Sequence, residues 1–124
     1  MYSFKQLSLI LFFFILFSSC SSSLPSLEGV DLEAWKEDRN GCNGKRSTMI
    51  EAITEQKEKL KALSEMDIIK LLGKPDENDL LQRSQKFYVY YMEPGPRCYQ
   101  PEAEPKKLIL RMNAMSLTKE VQIK

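Results

Sequence analysis

The chain has 124 residues, a length that supports one domain with a modest core and not two. Its 18 Lys and Arg nearly balance 17 Asp and Glu, and the signs are mixed along the chain, so neither a basic nucleic-acid patch nor an acidic tail is expected. Histidine is absent, which removes the commonest general base and the commonest metal ligand. No metal, no cofactor and no enzymatic activity are therefore expected.

The first element is an address. Lys5 precedes an apolar run of eleven residues, Leu7 to Phe17, interrupted by one serine, and Phe17-Ser18-Ser19-Cys20 closes it. The run is too short to span a bilayer, which takes roughly 20 apolar residues. It reads as an export signal over residues 1–19. The ending in small residues and a cysteine resembles the lipobox of bacterial lipoproteins. That resemblance implies attachment of diacylglycerol and palmitate-type acyl chains at Cys20, with the protein held on the membrane by its N-terminal lipid. The alternative is plain secretion, with cleavage after a small residue between Ser18 and Ser23. Residues 20–30 then form a flexible tether, and residues 31–124 the folded domain.

Once Cys20 is set aside, Cys42 and Cys98 remain, and in an exported chain an even pair is most simply a disulfide. Neither residue has a histidine to activate it as a nucleophile. Asp31 caps a short helix in which Leu32 and Trp35 share a face, and Asn40-Gly41 ends it. The following Asp38 to Gly44 loop lacks the fifth- and sixth-position residues of a calcium loop, where Cys42 and Asn43 stand. Trp35 reads either as cover for the edge of a small core or as part of a binding surface.

Thr48-Met49-Ile50-Glu51 has the form of a capping box, and the helix it predicts runs to about Ala62 with Met49, Ile53 and Leu60 on one stripe. The central segment is the next helix. Ser64 caps it, Met66, Ile69 and Leu72 form its stripe, with Ile68 and Leu71 widening it, and Gly73 and Pro75 stop it. Asp76 to Gln85 is polar and reads as a loop. Three strands follow, Phe87–Tyr91, Leu108–Met112 and Glu120–Ile123, with the four-proline stretch Glu93 to Pro105 between the first two. The first strand is apolar on both faces. The helices supply cover for one, so the Tyr88, Tyr90 and Met92 face, with Trp35 beside it, is the expected contact surface for a partner.

From Leu60 to Lys124 the chain resembles the SmpA/OmlA, or BamE-like, small outer-membrane lipoproteins. The resemblance is carried by the Leu63-Ser64-Glu65-Met66-Asp67-Ile68-Ile69-Lys70-Leu71-Leu72-Gly73-Lys74-Pro75-Asp76 segment, the Tyr88-Val89-Tyr90-Tyr91 strand, and the Leu108 to Met112 strand with its closing Val121-Gln122-Ile123. It implies an α+β domain in which two helices pack on a three-stranded antiparallel sheet (ααβββ), here preceded by a short extra helix. It also implies a non-enzymatic scaffold or accessory factor at the outer membrane, facing the periplasm, with barrel-assembly components as partners. The Trp35 to Arg46 segment and the cysteine pair depart from the family pattern. The alternative function is a periplasmic inhibitor or ligand-binding module on the same helix-on-sheet unit.

Overall fold

The computed structural model describes residues 23–81 and 85–124; residues 1–19, expected to be an export signal, and Cys20 lie outside the described residues. Among the described residues, three α-helices lie on one side of a four-stranded antiparallel sheet of order β1-β2-β3-β4. Helix α1 (Leu32–Glu37) opens on Asp31, whose carboxylate accepts the Ala34 N–H at 3.1 Å. Two short 3-10 segments follow, Arg39–Gly41 and Arg46–Met49. Helix α2 (Ile50–Gln56) ends in a third, Lys57–Leu60. Helix α3 (Glu65–Leu72) starts where the Ser64 hydroxyl accepts the Asp67 N–H at 3.1 Å and stops at Gly73, whose φ of 81° is open to glycine and strained for other residues.

The strands are β1 (Glu77–Leu81), β2 (Gln85–Tyr91), β3 (Lys107–Met112) and β4 (Thr118–Ile123). Side chains alternate across a strand, and the register pairs Tyr88 with Leu110, Tyr90 with Leu108 and Leu110 with Val121. All of these face the helices. They meet Trp35, Met49, Ile53, Leu60, Ile68, Leu71 and Leu72 in a single core.

Four expectations are corrected. The sheet has four strands, because residues 77–81 pair with β2 from Glu77 opposite Val89 to Leu81 opposite Gln85. The sequence Glu77-Asn78-Asp79-Leu80-Leu81 has no β-branched or aromatic residue, so its own propensity is weak; pairing with the edge of β2 decides its conformation. The capping box is not formed. The Thr48 hydroxyl donates to the Lys45 carbonyl at 2.7 Å, because the chain is already wound in a 3-10 turn there, and α2 begins at Ile50 without a side-chain cap.

The buried stripe of α3 is Ile68, Leu71 and Leu72, while Met66 is 62% exposed. Both stripes have helical spacing. The rotation is set outside the helix, where Glu65 N donates to Ser116 O and Thr118 N to Leu63 O, around a bridge between Ser64 and Leu117. The tether, finally, is shorter than expected. Leu27 is buried in the core, Glu28 exchanges hydrogen bonds with the Gln56 side chain at 2.7 and 2.5 Å, and Lys59 Nζ reaches Ser26 O at 3.0 Å. Residues 26–30 belong to the domain.

Candidate functional site

The loop after α1 and the turn after α3 meet at a buried ionic centre. Arg46 and Asp76 pair at 2.7 Å with side chains 1% and 0% exposed. The arginine also donates from Nε to the Trp35 carbonyl at 2.8 Å and from Nη1 to the Tyr91 carbonyl at 3.1 Å, and its guanidinium lies 4.8 Å from the Trp35 ring centre. Asp76 Oδ2 also accepts the Tyr91 N–H at 2.8 Å, while its Oδ1 accepts the Asn40 N–H at 3.0 Å and is approached by Arg39 at 3.6 Å. Asp38, also buried, accepts the Asn43 and Arg46 N–H groups at 2.7 and 2.9 Å. Two acids and two arginines thus compensate each other, and the Arg46–Asp76 contact is closed to any substrate. It is an anchor for three segments of chain rather than a reactive centre.

The same region carries the disulfide between Cys42 and Cys98, with Cα atoms 5.3 Å apart. Gly41 lets the loop come against the end of β2: a Cβ there would sit 2.7 Å from the Glu93 carbonyl oxygen. The chain past Cys42 is therefore held by a covalent bond, a close backbone approach and buried charges together.

Trp35, Tyr88, Tyr90 and Met92 are core residues, each at most 2% exposed. The contact surface expected on them is overturned, because they occupy the face that the helices cover. Their polar atoms are aimed at the helix layer. The Tyr90 hydroxyl donates to the Gly73 carbonyl at 2.7 Å, and the Tyr88 hydroxyl donates to the Glu65 carboxylate at the start of α3. Lys86 reaches the same carboxylate at 3.0 and 3.1 Å. The Tyr88 hydrogen bond, and then Lys86, hold the Glu65 carboxyl below its usual range, against some burial. Burial first, then Glu65, push the Tyr88 phenol well up, so it stays a neutral donor.

The opposite sheet face carries Phe87, Val89, Tyr91 and Ile109. Its Tyr91 end is closed by the proline-rich connection, since a Cβ on Gly95 would meet the Tyr91 ring at 2.7 Å. Tyr91 also donates to Glu77 at 2.7 Å, and burial with that contact raises its phenol to about 12. Val89 is buried under its neighbours, and Arg111 and Glu120 pair at 2.7 Å across β3 and β4. Among the described side chains, Phe87 and Ile109 contribute half-buried apolar surface here.

A more open feature lies between α3 and β1. No described β1 side chain joins the core, and the space beside the strand is a groove of about 350 Å³. Ile69 and Tyr88 supply apolar lining, Asn78 lines it from β1, and Arg39, Lys74 and Arg97 surround one end with Asp76. Met66 precedes Ile69 by three positions on α3, and Leu80 follows Asn78 by two on β1, so both extend the groove-facing sides of their elements. They are 62% and 73% exposed. The groove is not legible in the sequence, because Asp76 to Gln85 is polar and reads as a loop rather than as a strand beside α3. The Leu80-Leu81 pair within that polar stretch was its only apolar signal.

Among the described residues no group of three or more His, Cys, Asp and Glu is placed to hold a metal ion, and no helix is long and apolar enough to cross a membrane. Compared with known proteins, the chain matches no family model, no curated protein and no solved structure. Its α+β helix-on-sheet architecture and its disulfide define the class at the level of a small, disulfide-crosslinked α+β domain.

Proposed function

We propose that this chain is an exported lipoprotein that works as a non-enzymatic scaffold or accessory factor at the outer membrane, facing the periplasm, similar to the BamE-like assembly factors. The observation that carries the proposal is the way its cysteines divide. One, Cys20, directly follows the apolar run and small residues that read as an export signal over residues 1–19, and the other two pair as Cys42–Cys98, a bond suited to an oxidising compartment. In this view α2, α3 and β2 to β4 are the ααβββ unit of the family, while α1 and β1 are additions that enlarge one end of it. The chain acts by presenting surface to a protein partner.

The test is metabolic labelling with an alkynyl palmitate, followed by detergent-free fractionation. The wild type is expected to take up label and sediment with outer membranes. Cys20→Ala is expected to lose the label and appear in the soluble fraction, because one lipid site supplies the anchor. Full membrane retention of that variant would overturn lipid anchoring. After crosslinking, recovery of barrel-assembly components supports the scaffold role, and recovery of a soluble periplasmic enzyme in their place returns the inhibitor alternative.

A further inference from the structure

We propose that the groove between α3 and β1 binds an acidic, extended segment of a partner protein, one that sets a large apolar side chain between Met66 and Leu80 and carboxylates against Lys74 and Arg97. This rests on the view of the chain as a protein-binding module and goes beyond it by assigning the surface and the chemistry of the ligand.

Charge is the first ground. Three cations, Arg39, Lys74 and Arg97, line one end of the groove against a single anion, Asp76. Both oxygens of that carboxylate are engaged inward, with Arg46, Tyr91 N and Asn40 N. Arg39 is partly engaged as well, donating to the Lys74 and Pro75 carbonyls at 3.1 and 3.4 Å. Lys74 and Arg97 are exposed and make no salt bridge among the described residues. The potential at that end is positive and available to a carboxylate.

Shape is the second. Met66 and Leu80 are large apolar side chains left open to water, and they lie three positions before Ile69 and two positions after Asn78, which line the groove with Tyr88. A bare anion would use the cations and leave these untouched, whereas a peptide side chain uses both. The third ground is the strand. β1 is the end strand of the sheet, so among the described residues its outer edge has no strand partner and can take an extended chain by main-chain hydrogen bonding. The eight residues of α3 span about 12 Å, enough wall for about four residues of extended ligand.

The experiment uses the full-length protein in detergent and fluorescence anisotropy. The probe is an arrayed set of labelled peptides of about twelve residues, each with one central leucine or phenylalanine beside glutamates, and each with its Glu→Gln counterpart. Acidic peptides are expected to bind at least about tenfold more tightly than their amide counterparts, with the difference shrinking as salt rises. Lys74→Glu combined with Arg97→Glu should weaken binding at least about tenfold and Leu80→Ser at least about threefold. Lys119→Glu, on β4 at the far edge, should leave it unchanged. Trp35 fluorescence checks that each variant is folded.

Acidic and amide peptides binding alike, or an unaltered affinity in the double variant, would overturn the proposal. So would binding to phosphatidylglycerol vesicles that the double variant abolishes while no peptide binds, which assigns the cations to a lipid headgroup. A wild type that is palmitoylated and recovers its crosslinked partners, with the double variant recovering them equally, refutes the groove alone. Loss of labelling and of partners in the wild type refutes the parent view.

Discussion

Arg46→Met should cost this fold about 3–5 kcal/mol, a large share of the roughly 5–15 kcal/mol that holds a small domain together. The figure follows from what the substitution leaves behind. Asp76, 0% exposed, loses the guanidinium at 2.7 Å and keeps two N–H donors and Arg39 at 3.6 Å. The carbonyls of Trp35 and Tyr91 lose a buried donor each, at about 1–3 kcal/mol per unsatisfied group, partly offset where the chain relaxes. Methionine fills much of the arginine stem's volume, so the loss reports charge and hydrogen bonding more than a cavity. The assay is equilibrium urea unfolding without reductant, followed by the fluorescence of Trp35. That residue is the only tryptophan, and it is packed against the guanidinium. Adding Asp76→Asn to Arg46→Met should recover about 1–2 kcal/mol relative to the sum of the single losses, because the stranded anion is removed. A loss below about 1 kcal/mol in Arg46→Met with an unchanged urea slope would refute the idea that this pair holds the α1 loop, the β1 turn and the end of β2 together.

Reduction of Cys42–Cys98 should lower stability by about 4 kcal/mol in the chain-entropy model for a sequence separation of 56, read as a fall in the midpoint of the same urea curve on adding a reductant; an unmoved midpoint would mean that the buried charges fix the loop without it. The acid limb of stability should carry the signature of Glu65. Its folded carboxyl is held below the ordinary value of 4.5, so its contribution is present above that pH and is lost as pH falls through the lower, folded value. Glu65→Gln should therefore be less stable than the wild type at neutral pH and converge with it in acid. Parallel pH curves for the two proteins would contradict this.

On the proposed reading, lipid attachment at Cys20 and capture of an acidic segment in the groove would be joined in one short chain. Contacts of the described chain with the domain begin at Ser26, so residues 21–25, at most about 18 Å of chain, lie between Cys20 and the first docked residue. A partner bound in the groove would in that case be held close to the membrane surface.

The sequence alone determined the elements whose signals are local. Ser64 and Gly73 bound a helix because a hydroxyl oxygen and a residue tolerant of positive φ are requirements of the backbone itself, and Asp31 opens α1 for the same reason. The three strongest strands were legible from branched and aromatic runs, and the cysteine pair from parity. What the tertiary structure alone decided was which faces meet. The α3 helix is apolar on two overlapping stripes, so the choice of Ile68 over Met66 depends on contacts with residues 116–118, far away in the chain. Strand β2 is apolar on both faces, and parity cannot say which one the helices take; they take Tyr88, Tyr90 and Met92, which turned an expected surface into core. Strand β1 forms because a neighbour offers hydrogen bonds, not because its residues favour extension. The Arg46–Asp76 pair joins residues 30 positions apart, each in a polar stretch that reads as loop, and only folding brings the two charges to one buried point where leaving either unpaired would be costly.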